Sequence, residues 1–317
     1  MQTPWWRLAY AGRMTRETEE HIALVALLRT LAKGERWATV TERVLERGSA
    51  RAVWQEKTSD ALVPDPSLAA EFDQATLDVN AWITAGRQMV GILDDLYPTR
   101  LREIHQAPPF LFAAGTLLSE DPAIAVVGSR RATPRSLDIA GSIASALASE
   151  GITVLSGLAA GIDAAAHTAA LEAGGRTVAI IGTGIAQQYP AVNRALQLEI
   201  EQRGLVLSQF WPEAPPQKHN FLMRNAVMSG YGRATVVVEA GEQSGARAQA
   251  RMAVEHGRPV VLTDQVVAAN EWAKKLLGRP GVLVARGMNE VMDHVRRALD
   301  RERKVGRLLD DLVGAGL

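Results

Sequence analysis

The stretch VLSGLAAGIDAAAH, residues 154–167, sets an aspartate and a histidine four positions apart on a segment that reads as a helix opening after a turn of small residues. At that spacing Asp163 and His167 share a helix face, so one meaning of the pair is an imidazole oriented by a carboxylate for acid–base work. Hydrolysis would also need a nucleophile or a metal. The chain has no G-x-S-x-G elbow, no His-Glu-x-x-His cluster and no cysteine. The structural meaning is favoured: Asp163, in the first helical turn, accepts backbone N–H bonds, and His167 ties that turn to a neighbouring strand end, stiffening the Ser156–Gly157 loop.

Other polar and small residues gather after predicted strands. Gly128, Ser129, Arg130 and Arg131 follow one, Ser156, Gly157, Gly161 and Asp163 a second, and Gly182, Thr183 and Gly184 a third. Glu239, Ser244 and Gly245 follow a later one, and QKHNFLMRNA places Lys218, Phe221, Arg224 and Asn225 just before it. Ligands of open α/β sheets bind beyond the carboxyl ends of the strands, where loops and helix starts expose N–H groups. Hydroxyls, glycines and arginines on that rim make anion-binding chemistry. Phe221, between Lys218 and Arg224, fits a stacked base with flanking cations. Glu239 is expected to pair with a rim arginine or with backbone amides rather than to act as a base. Two nucleotide motifs are excluded. No lysine sits in a P-loop, and GTGIAQ lacks the third glycine and the acidic partner of a dinucleotide fingerprint, which rules against a nicotinamide dehydrogenase.

These residues need a frame. From residue 123 the short apolar segments AIAVVG, ITVLS, TVAIIG, LVLSQF, ATVVVEA, PVVLT and GVLVA alternate with amphipathic ones, most of them closed by glycine. Short apolar strands covered on both faces, alternating with helices, predict an α/β fold with a doubly wound, mostly parallel sheet. Residues 1–85 are expected to form a small N-terminal helical domain, with Gly34 and Gly48 as helix stops and a loop at ALVPDPSLA; residues 86–300 carry the sheet, and 301–317 a charged tail.

Composition sets the outer limits. The chain has 317 residues, 47% of them hydrophobic, enough for a sizeable core. Thirty-five basic residues balance thirty-five acidic ones, so bulk positive charge holds no nucleic acid here and any polyanion site must be local. The absence of cysteine excludes disulfides and thiolate metal sites and makes a reducing cytoplasm the natural setting. The start lacks a basic flank followed by an apolar run, and no apolar stretch approaches the roughly 20 residues of a spanning helix, so a soluble, cytoplasmic protein without membrane contact is expected.

Five blocks in order, VVGSRRATP, SGLAAGIDAAAH, IIGTGIAQQYPAVN, FLMRNAVMSG and VVVEAGEQSGARAQARMAVEHGRPV, resemble the DprA (Smf) family of DNA-processing proteins over about residues 90 to 265. The resemblance implies an extended Rossmann-like fold that binds single-stranded DNA without sequence preference, forms a homodimer and loads the RecA recombinase during natural transformation, with no established reaction, cofactor or metal. Its DNA site would fall on Gly128, Ser129, Arg130, Ser156, Gly157, Lys218, Phe221, Arg224, Asn225, Ser244 and Gly245, supported by Gly161, Asp163, His167, Gly182, Gly184 and Glu239. The chain departs from the family where Ala160 and Ala226 replace arginines and GARAQA replaces a Gly-Ser-Leu-x-Thr-Ala pattern; Arg247 and Arg251 are candidates to compensate. A C-terminal winged-helix domain is not evident. The competing reading is a small-nucleotide sensor or nucleotide-processing enzyme on a similar fold, for instance in genome defence, with Glu239 or Asp163 polarising a water or a ribose.

Overall fold

The structure, a computed structural model, describes residues 15–59 and 65–314. The chain forms two compact units, one made of the described residues up to Tyr97 with Pro108–Phe110, the other of Pro98–Ala107 and the chain from Leu111 onward.

The first unit holds four helices, α1 (Arg16–Arg29), α2 (Trp37–Arg47), α3 (Ala50–Ser59) and α4 (Pro66–Thr84), and the strand β1 (Gln88–Gly91). Local chemistry sets their ends. Thr15 caps α1 by accepting the Thr18 N–H, and Asp65 caps α4 ahead of Pro66, whose missing N–H costs nothing at a first helical position. Gly48 ends α2 in the left-handed conformation, as expected. Gly34 does not end α1: the helix stops at Arg29, where the Thr30 hydroxyl bonds back to Ala26 O at 2.8 Å.

The second unit is built on the doubly wound sheet. Its strands are β2 (Phe110–Gly115), β3 (Ala123–Gly128), β4 (Thr153–Ser156), β5 (Thr177–Ile180), β6 (Leu205–Ser208), β7 (Ala234–Glu239), β8 (Val260–Thr263) and β9 (Val282–Ala285). They lie in the order β2-β6-β5-β4-β3-β7-β8-β9, and every pair is parallel except β2 with β6. The connecting helices are α5 (Pro134–Ser149), α6 (Ile162–Glu172), α7 (Arg194–Arg203), α8 (Lys218–Tyr231), α9 (Gly245–Glu255), α10 (Asp264–Ala269), α11 (Glu271–Leu276) and α12 (Met288–Gly314). The tail expected after residue 300 continues α12 as far as Gly314.

Alternation along the strands divides the core. Ile124, Val126, Val154, Val236 and Val261 meet Ile143 and Leu147 of α5, Ala166 and Ala170 of α6, and Val295 and Leu299 of α12 on one face. Helices α8 and α9 pack together on the sheet as well. Removing one fully buried anchor, Leu147→Ala, costs about 2–5 kcal/mol. No described helix is long and apolar enough to cross a membrane.

The winding fixes where a ligand can sit. From β3 the chain runs outward through β4, β5 and β6, then α8 carries it back to β7 on the other side of β3. The strand order therefore reverses between β3 and β7, and a crevice opens there at the carboxyl ends.

Candidate nucleic-acid interface

Three loops and one helix build the crevice. The loop after β3 carries Gly128, Ser129, Arg130 and Arg131 into α5, whose cap Thr133 gives both its N–H and its hydroxyl to Glu239 Oε2, at 3.0 and 2.9 Å. Burial pushes the Glu239 carboxyl up, but hydrogen bonds from Thr133, Ser136 and Ser129 together outweigh it and hold the group below its ordinary range. Glu239 bonds a backbone amide, one of its two expected roles, and serves as a brace between β7 and α5.

The loop after β4 is held from below by Asp163. Its Oδ2 accepts the N–H groups of Gly157 and Ala159 at 3.2 and 3.3 Å, across a turn in which Leu158 is left-handed at φ 57°. Burial raises the Asp163 carboxyl above its usual range, opposed by the charge of Arg224 and by these two amides. Gly161, at φ +82°, starts α6 against the β3 loop, where the Ile162 N–H bonds Ser129 O.

Helix α8 supplies the floor. Arg224 is only 6% exposed: its Nη1 donates to Ile180 O at 2.9 Å and its Nε to Asn225 Oδ1 at 3.2 Å. Burial lowers its basicity, the Asp163 charge opposes that, and the neighbouring Arg130 cation adds to it. Its guanidinium lies so close to Gly157 that a Cβ there would fall on Nη1. Phe221, one turn earlier, rests on Gly182, where a Cβ would stand 2.6 Å from the ring. Arg130 covers the Phe221 ring at 5.4 Å from its centroid, and Tyr189 tilts against it at 5.9 Å.

Together these form a cleft of about 440 Å³ lined by Gly128, Ser129, Arg130, Arg131, Lys218, Phe221, Arg224, Asn225, Ser244 and Gly245, with Asp163 and Gln249. A smaller chamber of about 80 Å³ adjoins it between Arg130, Gly157, Gly182, Tyr189, Phe221 and Arg224. Arg130, Arg131 and Lys218 are exposed and have no ion-pair partner among the described residues. Four cations thus face one carboxylate, Asp163, which is already bonded to two amides.

Not every expected residue reaches the cleft. Ser156 is fully buried and its Oγ donates to Val126 O at 2.7 Å, so it braces two strands and offers nothing to a phosphate. His167 does not tie the α6 turn to a strand end at the rim. Its Nδ1 lies 2.6 Å from Thr177 Oγ1, at the start of β5 and away from the Ser156–Gly157 loop, and burial, reinforced by the Arg224 charge, pushes its pKa down to about 3. Gly184 lies outside the cleft, its N–H bonded to Ala214 O. Ser244 caps α9 through the Arg247 N–H. Arg247 and Arg251 do not compensate for the missing arginines: the first folds back on Glu242 O at 2.8 Å and the second pairs with Glu255 at 3.5 Å. Ala160 lines the small chamber, while Ala226 is 4% exposed.

Tyr189 and Gln249 are among the lining residues that escaped sequence reasoning. Tyr189, 40% exposed, precedes a proline in a loop with no periodicity to place it. Gln249 had a legible signal, since Ala246, Gln249, Ala250 and Ala253 form the buried stripe of α9 and only one of them is polar.

Comparison with known proteins follows the same residues. The chain is 44% identical over 170 residues to the DNA processing protein DprA of Streptococcus pneumoniae, a match spanning 53% of this chain and 60% of that protein, less than two thirds of its length. The crystal structure of DprA from the same organism superposes with a TM-score of 0.69 at 30% identity, covering 89% of this chain and 98% of that one. DNA processing protein A from Helicobacter pylori shares the fold, with a TM-score of 0.59 at 24% identity over 67% of this chain and 96% of the other. Residues 88–295, which include both the sheet and every loop of the cleft, match the family of DNA recombination-mediator protein A, and the chain belongs to that family.

Proposed function

We propose that this chain binds single-stranded DNA in the β3/β7 crevice and acts as a recombination mediator. The carrying observation is that Arg130, Arg131, Lys218 and Arg224, from two separate segments, line one cleft beside an aromatic ring. Exposed cations contact backbone phosphates, and a flat ring beside them gives a sequence-tolerant surface for bases. The Helicobacter pylori relative is described as binding single-stranded DNA, which supports the reading. Handing the strand to a RecA-type recombinase, and working as a homodimer, belong to the same proposal.

Catalytic processing of a nucleotide has less support. Glu239 is tied to Thr133, Asp163 to two amides, and His167 is fully buried against Thr177. The test is fluorescence anisotropy of a labelled 12-mer across a salt series. Lys218→Ala and Arg130→Ala each remove one phosphate contact and should flatten the slope of log K against log salt by about 0.7. An absence of binding even at low salt rejects the reading.

A further inference from the structure

Gln249 sits one turn into α9, on the cleft side of a helix whose first residues, Ser244 and Gly245, form the cleft wall. It is 1% exposed, and neither its Oε1 nor its Nε2 has a hydrogen-bond partner in the protein. Asn225, the other carboxamide on the floor, is different: its Oδ1 accepts from Arg224 Nε and its Nδ2 reaches Gly245 O at 3.5 Å. A buried amide left unpaired destabilises the chain, so a ligand that satisfies both its atoms regains what folding gave up there.

We propose, resting on the single-stranded DNA reading above, that Gln249 takes one nucleobase by its edge. The choice of base over backbone follows from donor chemistry. Nε2 needs an acceptor, which phosphates, sugars and bases all supply. Oε1 needs a donor, and within a DNA strand phosphate and deoxyribose have none, since the free phosphate oxygens are ionised and the sugar oxygens are esterified or lie within the ring. Base edges alone carry a donor beside an acceptor, the complement of a carboxamide. The cations at the mouth hold the backbone while one base enters toward α9, and rotation about the soft terminal torsion of Gln249 turns the amide to meet it.

The test compares three 12-mers of equal charge at one salt concentration: oligothymidylate, the same strand with N3-methylthymine, and an abasic strand. Thymine's sole donor is N3–H, so the methyl group abolishes the two-point pair while leaving the ring and the phosphates in place. The wild-type chain should bind oligothymidylate about tenfold more tightly than the methylated strand. Gln249→Leu should bring that ratio close to one while leaving abasic binding within about twofold of wild type. The same variant, relieved of two unpaired groups, should melt about 2–4 °C higher.

Equal wild-type affinity for thymine and N3-methylthymine strands overturns the proposal but leaves the DNA reading intact. A ratio that persists in Gln249→Leu, or a lowered melting point, overturns it too. Failure of all three strands to bind removes the DNA reading and this inference with it.

Discussion

A methyl group placed at Gly157 should dislodge Arg224 from beneath the cleft. The substitution Gly157→Ala asks nothing unusual of the backbone, because Gly157 is not among the left-handed glycines. The new Cβ instead falls on the guanidinium, whose Nη1, Cζ and Nη2 are the nearest atoms. That group has little room to move, since the residue is 6% exposed and two of its nitrogens are already bonded. Displacement breaks the charged bond to Ile180 O, worth about 1.5–3 kcal/mol. It also draws the neighbouring cation away from buried Asp163, whose charge Arg224 offsets through space without a direct bond. Asp163 keeps its two amide bonds, so the net loss should be about 2–4 kcal/mol. Urea unfolding of the wild type, Gly157→Ala, Arg224→Ala and the double variant gives the answer. With Arg224 absent the three atoms nearest the methyl group are gone, so the cost should fall to within about 0.5 kcal/mol in that background. A loss that is undiminished there, or absent from the wild-type background, refutes the reasoning.

Three further outcomes are expected. His167, held near pH 3 in the fold and near 6.5 when unfolded, leaves the unfolded chain carrying one more proton between those values. Stability attributable to it is therefore lost on acidification, by about 1.4 kcal/mol per pH unit; urea midpoints at pH 7, 6 and 5 should show His167→Gln with the shallower slope. Asp163, whose carboxyl is raised, acts in the opposite sense but equally in both proteins, so the difference isolates the histidine. Ser156→Ala should lower stability by about 1 kcal/mol while leaving oligonucleotide affinity and its salt slope unchanged, since the hydroxyl is spent on Val126 O. Tyr189→Ala should weaken single-strand binding about tenfold in the same anisotropy assay, with unfolding within about 0.5 kcal/mol of wild type.

The architecture was legible because its signal is local. Strands such as ATVVVEA and AIAVVG announce burial on both faces, and the glycines and caps between them mark the crossovers. The rim was legible for a related reason: in a doubly wound sheet, sequence position after a strand implies position at one edge. What a strand-end rule does not give is depth. Ser156 and Ser129 occupy equivalent places in the sequence, yet one hydroxyl is consumed by the adjacent strand while the other lines the cleft. Arg224 reads as a rim arginine, with nothing in the sequence to set how deep it lies. Its burial depends on Asp163 and Ile180, which come from other crossovers and leave no mark near it. Helix α10, six residues directly after β8, was too short for any periodicity to reveal.

The depth of Arg224 has a kinetic consequence for any anion that enters the crevice. Arg130, Arg131 and Lys218 are exposed, so their field accelerates encounter, and that gain fades as salt rises. Arg224 has shed its water during folding and is fixed by Ile180 and Asn225 before a partner arrives. A charge already dehydrated and aligned adds little to capture and much to residence, because water must return to the floor before the anion can leave. The outer cations thus govern how fast a complex forms, and the inner one how long it lasts.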